Sequence, residues 1–341
     1  MRLPLGMLHV ALCAIVLASV PPPAAASDDP GLFAWLSELR SEALERGIAG
    51  GTFDTALAGV QPRPVVLKAD RSQPRSPSGF CHYLDKRLSE TRIARGRREL
   101  ATHDALLRGI VAEYGVPARY LVALWGLETN FGDYQGDHPL FDALVTLARD
   151  PRRGELFRSQ IFAALELIEA GQLAPGMTAS WAGAMGQVQF MPTTYRAYAV
   201  DHDGDGTKDI WNSLPDALAS AANFLRALGW RSGETWGRQV TLPASVAPDA
   251  LRGTRSLAAW REAGLRRSDG APLPEGRLRG RLVMPRKTPD PAFLVYPNYK
   301  IFMSWNRSTF FSISVGTLAD EIAGRGSLRA CRLAPSSASA G

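Results

Sequence analysis

The sequence predicts an α+β protein that is mostly α-helical, and two patterns support that prediction. Apolar residues recur at helical spacing in several stretches between residues 31 and 230. Residues 238–296 instead combine many prolines with short apolar runs, which are typical of strands and loops. The chain has 341 residues, of which 45% are hydrophobic, so it can bury a large core divided among two or three structural units.

The predicted helices follow one another along most of the chain. They cover residues 31–60, 80–114, 117–128, two stretches within 140–170 separated at Pro151, and 213–230. Pro117 suits the first position of a helix, and Gly229 suits the end of one. Residues 299–315 fit a strand or a buried helix equally well, because periodicity alone does not separate the two.

The beginning of the chain is typical of an export signal. Arg2 precedes an apolar run that ends near Val20, and residues 24–26 are small alanines suited to cleavage. We therefore predict a signal peptide over residues 1–26. A membrane anchor is the alternative, but the apolar run is short and a proline-rich break follows it. No later stretch is long and apolar enough to span a membrane.

The cysteines bear on both anchoring and folding. Cys13 lies inside the apolar run after Leu12, where a lipid-attachment site needs a small residue, so a lipid anchor is disfavoured. Cys81 and Cys331 remain after removal of the signal. A pair of cysteines in an exported protein favours one disulfide, with two free buried thiols as the alternative.

The charge balance does not demand an anionic partner. The formal net charge is +6, which suits an anionic ligand without requiring one. Arg92, Arg95 and Arg98 recur at a spacing of three and form a basic helix face. Such a face is usually just solvated, so nucleic acid is not a predicted partner.

One carboxylate ends an apolar helix. Glu128 shares a predicted helix face with Leu121, Leu124 and Trp125. Burying a carboxylate is costly unless it is paired or protonated. Either the helix has ended and Glu128 is solvated, or its acidity is adjusted for a function.

An acidic loop, DHDGDGTKDIWN at residues 201–212, matches the start of an EF-hand calcium loop. Its alternating carboxylates would repel one another without a cation, and Gly206 permits the sharp turn. The loop is atypical because Asn212 stands where a bidentate glutamate is usual, so Asp216 is a candidate for the last ligand. The predicted ligands are Asp201, Asp203, Asp205, Thr207 and Asp216. A metal-free turn is the alternative.

A second segment, SWAGAMGQVQFMP at residues 180–192, mixes small, amide and apolar residues. Gln187 and Gln189 offer hydrogen-bonding amides, and Phe190 offers an apolar wall. This mixture fits a sugar site as well as it fits a close-packed loop.

Together these segments resemble a known family. WGLETNFG, PRR at residues 151–153, SWAGAMGQVQFMP, YAVDHDGDG and SWNRS occur in the order typical of the B-type membrane-bound lytic transglycosylases of bacterial cell walls. The resemblance covers roughly residues 31–325. It implies a goose-lysozyme-like helical core with an additional helical domain and a small β-rich domain, cleaving the MurNAc–GlcNAc β-1,4 bond of peptidoglycan.

The resemblance also implies a division into domains. Residues 27–108 would form an N-terminal helical domain, with residues 316–332 packing on it. Residues 109–236 would form the catalytic core with the calcium loop at 201–216. Residues 237–296 would form the β-rich domain, residues 297–315 would return to the core, and residues 333–341 would be a disordered tail.

The resemblance assigns roles to individual residues. Glu128 occupies the position of the single catalytic glutamate. The implied substrate-binding residues are Tyr83, Arg152, Arg153, Ser180, Gln189, Phe190, Phe224, Trp305 and Phe311. Phe224, Trp305 and Phe311 depart from the tyrosines of some members, which keeps the ring but loses a hydroxyl.

The implied reaction uses Glu128 as acid and then as base and leaves a 1,6-anhydro-MurNAc end. A lysozyme-type hydrolase and a non-catalytic, calcium-stabilised wall-binding module are the alternatives. We expect a structural Ca²⁺ and no organic cofactor. Glycan strands are the expected partner, with wall-synthesis proteins as further candidates, for a monomeric protein of the periplasm.

Overall fold

The computed structural model describes residues 30–72, 79–243, 252–285, 291–326 and residue 331. The predicted signal peptide and C-terminal tail lie outside the described residues. The helices are α1 Pro30–Glu45, α2 Gly50–Ala56, α3 Pro64–Arg71, α4 Phe80–Arg87, α5 Glu90–Thr102, α6 Asp104–Tyr114, α7 Ala118–Thr129, α8 Leu140–Ala148, α9 Gly154–Glu169, α10 Pro192–Tyr198, α11 Leu214–Ala227, α12 Leu257–Glu262, α13 Pro297–Trp305 and α14 Thr309–Ile322. The strands are β1 His138–Pro139, β2 Thr178–Ala179, β3 Gly237–Thr241, β4 Thr254–Ser256, β5 Arg266–Arg267, β6 Arg279–Val283 and β7 Ala292–Val295. The fold is therefore mostly helical with a small antiparallel sheet, as predicted.

Helix α7 lies at the centre of the helical part. Its residues from Tyr120 to Leu127 are all buried, and α14 and α5 pack along it. Gly126 allows a close approach, since a Cβ there would lie 2.6 Å from the ring of Phe131. The helix ends at Asn130, which adopts a left-handed conformation with φ 53°. Asparagine tolerates that conformation better than most residues do.

The ambiguous segment after residue 296 forms two helices. Pro297 begins α13, and the hydroxyl of Ser308 caps α14 by accepting a hydrogen bond from the backbone N–H of Phe311. Most residues of α14 are buried. A helix that is apolar on most faces gives no clear periodicity, which is why the sequence left the choice open.

The sheet has the strand order β4-β6-β7-β3-β5, and its pairings are antiparallel. Successive side chains of β7 point to opposite faces. Phe293 and Val295 join the large helical core, whereas Ala292 and Leu294 join a separate apolar cluster around Trp260. The sequence pattern missed α12, a short helix in this region whose cap, Ser256, accepts from the N–H of Ala259.

Two kinds of contact tie the first helices to the rest. Cys81 of α4 forms a disulfide with Cys331, 250 residues away. Asp142 of α8 accepts hydrogen bonds from the backbone N–H of Gln61 at 3.0 Å and from Nε of Arg63 at 2.8 Å. Among the described helices, none combines the length and apolar character that a bilayer crossing requires.

Candidate active site

Glu128 lies in the last turn of α7 and is held by an aromatic side chain from a distant segment. The indole Nε1 of Trp305 donates a hydrogen bond to Oε1 of Glu128 at 2.8 Å. The glutamate is deep in the protein but keeps partial solvent exposure. It is therefore reachable from one side and desolvated on the others.

Burial raises the pKa of Glu128 to about 7. The hydrogen bond from Trp305 and the positive charge of Arg87 act in the opposite direction and lower it. The C-terminal end of α7 carries a partial negative charge that disfavours a carboxylate. The geometry thus favours a Glu128 whose acidity is adjusted over one that is simply solvated. With a pKa of about 7, both protonation states of the carboxyl are populated near neutral pH.

Aromatic rings line one side of this carboxyl. The ring centroids of Phe190, Phe224 and Trp305 lie 5.3 to 5.6 Å from one another. Tyr198 extends the group, with its centroid 4.6 Å from that of Phe224. The structure thus brings together three of the predicted substrate-binding residues from α11, α13 and the segment before α10. Phe190 is only 2% exposed and supports the other rings from within the core. The partly exposed rings of Phe224, Trp305 and Tyr198 suit the apolar faces of sugars.

A tyrosine and an arginine of α4 lie on another side of Glu128. Burial is the main cause that raises the pKa of Tyr83, and the charge of Glu128 adds to it, so Tyr83 is within electrostatic reach of the acid. The guanidinium of Arg87 lies 5.5 Å from the Tyr83 ring, and its Nη1 donates to the carbonyl of Leu127 at 3.2 Å. Sequence reasoning missed Arg87, although its position four residues after Tyr83 puts both on one helix face.

The SWAGAMGQVQFMP segment is fixed against α7. Gln187 accepts from Nε1 of Trp125 at 2.9 Å and donates to the carbonyl of Trp211 at 3.1 Å. Ser180 accepts from the N–H of Ala184 at 3.1 Å. Gln189 has φ 51°, an uncommon conformation for a residue other than glycine. These contacts fix the backbone that carries Phe190.

Three predicted substrate-binding residues have other surroundings. Arg152 forms ion pairs with Asp70 and Asp150, and Arg153 pairs with Asp70. Phe311 is buried in the core at 4% exposure. The ring that meets Tyr83 belongs instead to its neighbour Phe310.

Phe310 was not predicted. Its centroid lies 5.4 Å from that of Tyr83 and 5.1 Å from that of Phe80. Without a settled secondary structure for residues 299–315, the sequence could not show which of two adjacent phenylalanines faces α4.

The acidic loop brings three of its carboxylates together. One oxygen each from Asp201, Asp203 and Asp205 lies within 4.8 Å of the others. Gly204 and Gly206 take the positive φ angles, 78° and 92°, that the turn needs. This is an oxygen-rich site that fits a hard cation such as Ca²⁺.

Asp216 has a different position from the one expected. It is fully buried at the start of α11, and its carboxylate accepts from the N–H groups of His202 at 2.7 Å and Asp209 at 2.8 Å. It lies outside the cluster of three carboxylates. The Asp216 oxygens thus bind the loop backbone. In this arrangement they do not replace the bidentate glutamate that Asn212 lacks at position twelve of the loop.

Comparisons with known proteins agree with this geometry. The transglycosylase SLT domain family matches residues 32–320. Membrane-bound lytic murein transglycosylase B of Escherichia coli (strain K12) is 30% identical over 253 residues, covering 73% of this chain and 69% of that protein. SltB3 from Pseudomonas aeruginosa in complex with NAG-NAM-pentapeptide is similar at a TM-score of 0.82 and 42% identity, covering 86% of this chain and 80% of that chain. Escherichia coli Slt35 in complex with calcium is similar at a TM-score of 0.73 and 26% identity, covering 87% and 94%.

The helical fold is the lysozyme-like fold of enzymes that cleave cell-wall polysaccharides, and the aromatic cleft with Glu128 lies within it. The chain belongs to the transglycosylase SLT family, and within it to the B-type lytic transglycosylases. It is a peptidoglycan lytic transglycosylase.

Proposed function

We propose that this enzyme cleaves the MurNAc–GlcNAc β-1,4 bond through Glu128 alone and forms 1,6-anhydro-MurNAc ends. The observation that carries the proposal is the position of Glu128, buried against Trp305 with a pKa raised to about 7. A group with this pKa serves as an acid and then as a base at neutral pH.

The reaction needs two proton transfers at one carboxyl group. Glu128 first donates its proton to the glycosidic oxygen while the bond between that oxygen and C1 of MurNAc breaks. The carboxylate then removes the proton from the C6 hydroxyl of the same sugar, and O6 bonds to C1. Glu128 ends protonated, and no water is consumed.

The carboxylates nearest in sequence are poorly placed to act as a second catalytic group of the kind that hydrolases use. Asp133 accepts hydrogen bonds from Arg95 at 2.5 and 2.9 Å, and this pairing lowers its pKa. Asp137 is 78% exposed. These surroundings support a reaction with a single carboxyl group.

For the substrate, we propose that the glycan lies against the rings of Phe224 and Trp305, which are packed on the buried ring of Phe190, with Tyr83 on the opposite side. Ser180 and Gln189 would supply polar contacts from the intervening segment. Arg152 and Arg153 are paired with Asp70, and Phe311 is buried in the core. Their contact with the substrate therefore stays a prediction. The SltB3 complex with NAG-NAM-pentapeptide supports a peptidoglycan fragment that carries its peptide.

We further propose that the loop holds a structural Ca²⁺. Asp201, Asp203 and Asp205 would hold the ion, with Thr207 as a further ligand. The Slt35 complex with calcium supports this choice of ion. The ion would fix the segment between α10 and α11 and take no part in the chemistry. The proposed setting remains the periplasm, reached through the signal peptide and without a lipid anchor.

Mass spectrometry of digested peptidoglycan tests the reaction. The mature protein should release muropeptides one water lighter than reducing ones, and Glu128→Gln should release none. Reducing muropeptides would show hydrolysis instead. Equal release by Glu128→Gln would remove Glu128 from the mechanism, and no release by either protein would favour a wall-binding role.

A further inference from the structure

A second cavity lies at the opposite end of α7 from the proposed active site. It has a volume of about 720 Å³ and lies between the beginning of α7, the end of α14, and strands β3 and β5. Arg119 lines the cavity, and Glu128 follows nine residues later, roughly 14 Å along the helix axis. The cavity is therefore separate from the aromatic cleft.

The cavity is rich in arginine. Its lining includes five arginines and three acidic residues, which are Arg97, Arg119, Arg238, Arg267, Arg325, Asp269, Asp320 and Glu321. Elements far apart in the sequence thus place several guanidinium groups around one space. Guanidinium groups bind carboxylates through two parallel hydrogen bonds, which makes such a lining selective for oxyanions.

The acidic residues of the lining leave part of this positive charge uncompensated. Asp269 pairs with Arg267 at 2.7 Å. Asp320 accepts from Nε1 of Trp236 at 2.9 Å and lies 3.8 Å from Nε of Arg119, and burial raises its pKa. With five arginines and three carboxyl groups, the lining keeps an excess of positively charged side chains.

Other donors in the lining have room for a ligand. Nε of Arg238 and Oγ1 of Thr317 are buried without a hydrogen-bond partner among the described residues. Arg325 is exposed, so its guanidinium is open to a ligand, although its charge also acts on Asp320. A buried donor without a partner is costly, and an oxyanion in the cavity would relieve that cost.

The size and the apolar part of the lining indicate an organic ligand. A cavity of about 720 Å³ is in the range of small-molecule sites and far larger than a single ion needs. Trp236 and Phe293 lie in the wall of the cavity, but they are only 2% and 1% exposed, so the accessible apolar surface comes mainly from the stems of the arginines. A short peptide with several carboxylates would use both features.

We propose that this cavity binds the carboxylate-bearing peptides of peptidoglycan. The choice of ligand rests on the proposed function, since a wall-cleaving enzyme meets these peptides at every strand. A peptide held at the beginning of α7 would keep the enzyme on the wall while the glycan is cleaved at the other end of that helix. The site would thus raise the affinity for intact, peptide-bearing wall.

Calorimetry with the free wall pentapeptide tests the proposal with a matched pair of variants. Arg266 and Arg267 are adjacent and exposed in β5, but only Arg267 lines the cavity. We expect Arg267→Glu to weaken binding at least tenfold and Arg266→Glu to change it less than twofold. Arg325→Glu, an exposed position, should repeat the loss if Arg267→Glu fails to fold.

Further controls identify the chemical class of the ligand and distinguish peptide binding from the proposed reaction. A pentapeptide with amidated carboxyl groups should bind at least tenfold more weakly, and inorganic phosphate, which lacks the contacts along the peptide, should compete only at concentrations at least tenfold higher than the pentapeptide. Equal effects of the two β5 variants, equal binding of the amidated peptide, or binding of phosphate alone would overturn the proposal. Glu128→Gln should bind the pentapeptide as the wild-type protein does, so a failure of the anhydro-forming reaction would leave this result unchanged.

Discussion

Replacing Glu128 with glutamine should stabilise the protein in a pH-dependent way. The folded state raises the pKa of this carboxyl from 4.5 to about 7, so it favours the neutral form. The stability that the neutral form provides is fully present below pH 4.5 and is lost as pH rises through about 7. At about 1.36 kcal/mol per pH unit, the full loss is about 3 kcal/mol. Glutamine stays neutral and keeps an oxygen for Trp305, so it should avoid that loss.

Urea unfolding of both proteins from pH 4 to pH 8, with the disulfide oxidised, measures this effect. The free energy of unfolding of Glu128→Gln minus that of the wild type should rise between pH 4.5 and 7 and then level off. The midpoint should shift by about 1 M urea or more at pH 8, given typical urea dependences. Glu45→Gln, on an exposed side chain, controls for the amide itself. A difference that stays constant with pH would refute the reasoning, because it would mean that Glu128 is not desolvated.

Three further predictions concern activity and the loop. The activity of the wild type should fall above about pH 7, where Glu128 loses the proton it must donate, and Glu128→Gln should be at least a thousandfold less active; a pH profile on soluble muropeptides measures both. Arg87→Ala and Trp305→Phe should each move that alkaline limb upward, because the charge and the indole N–H both lower the pKa of Glu128; Arg87→Lys should restore the limb, and an unmoved limb would exclude their influence. A chelator should lower the melting temperature of the wild type but not that of Asp203→Asn, and equal shifts would argue against a metal at this loop.

The sequence could place Glu128 on the apolar face of its helix because that pattern is local, whereas the predicted catalytic role came from the resemblance to a family. Glu128 and the apolar residues of its helix lie within a few turns of one another, so periodicity alone places the carboxyl on a buried face. Nothing local indicates that Trp305, 177 residues later, donates to it. The resemblance to a family supplied Trp305 as a contact of the sugar, whereas its bond to the acid became visible only in the structure.

Several predicted residues have partners that the sequence did not indicate, and these cases have a shared physical cause. Asp216 follows a loop full of carboxylates, and sequence spacing does not distinguish an oxygen that binds a cation from one that accepts backbone N–H groups. Arg152 and Arg153 suit an anionic ligand by charge, yet Asp70, more than eighty residues earlier, pairs with both. In each case the competing partner is contributed by tertiary structure.

The acidity of Glu128 is a balance that depends on separate parts of the fold. Burial alone would raise the pKa of Glu128 further, and an acid with a very high pKa transfers its proton poorly. Trp305 and Arg87 oppose burial from two sides and bring the pKa to about 7. Trp305 comes from α13 and Arg87 from α4, and both helices pack on α14, so their side chains meet the end of α7 from separate elements and together set the pH range of the proposed chemistry. The proposed reaction uses one carboxyl group as both acid and base. Loss of the contact with Trp305 or Arg87 would raise its pKa, which would favour the protonated acid of the first step over the carboxylate base of the second.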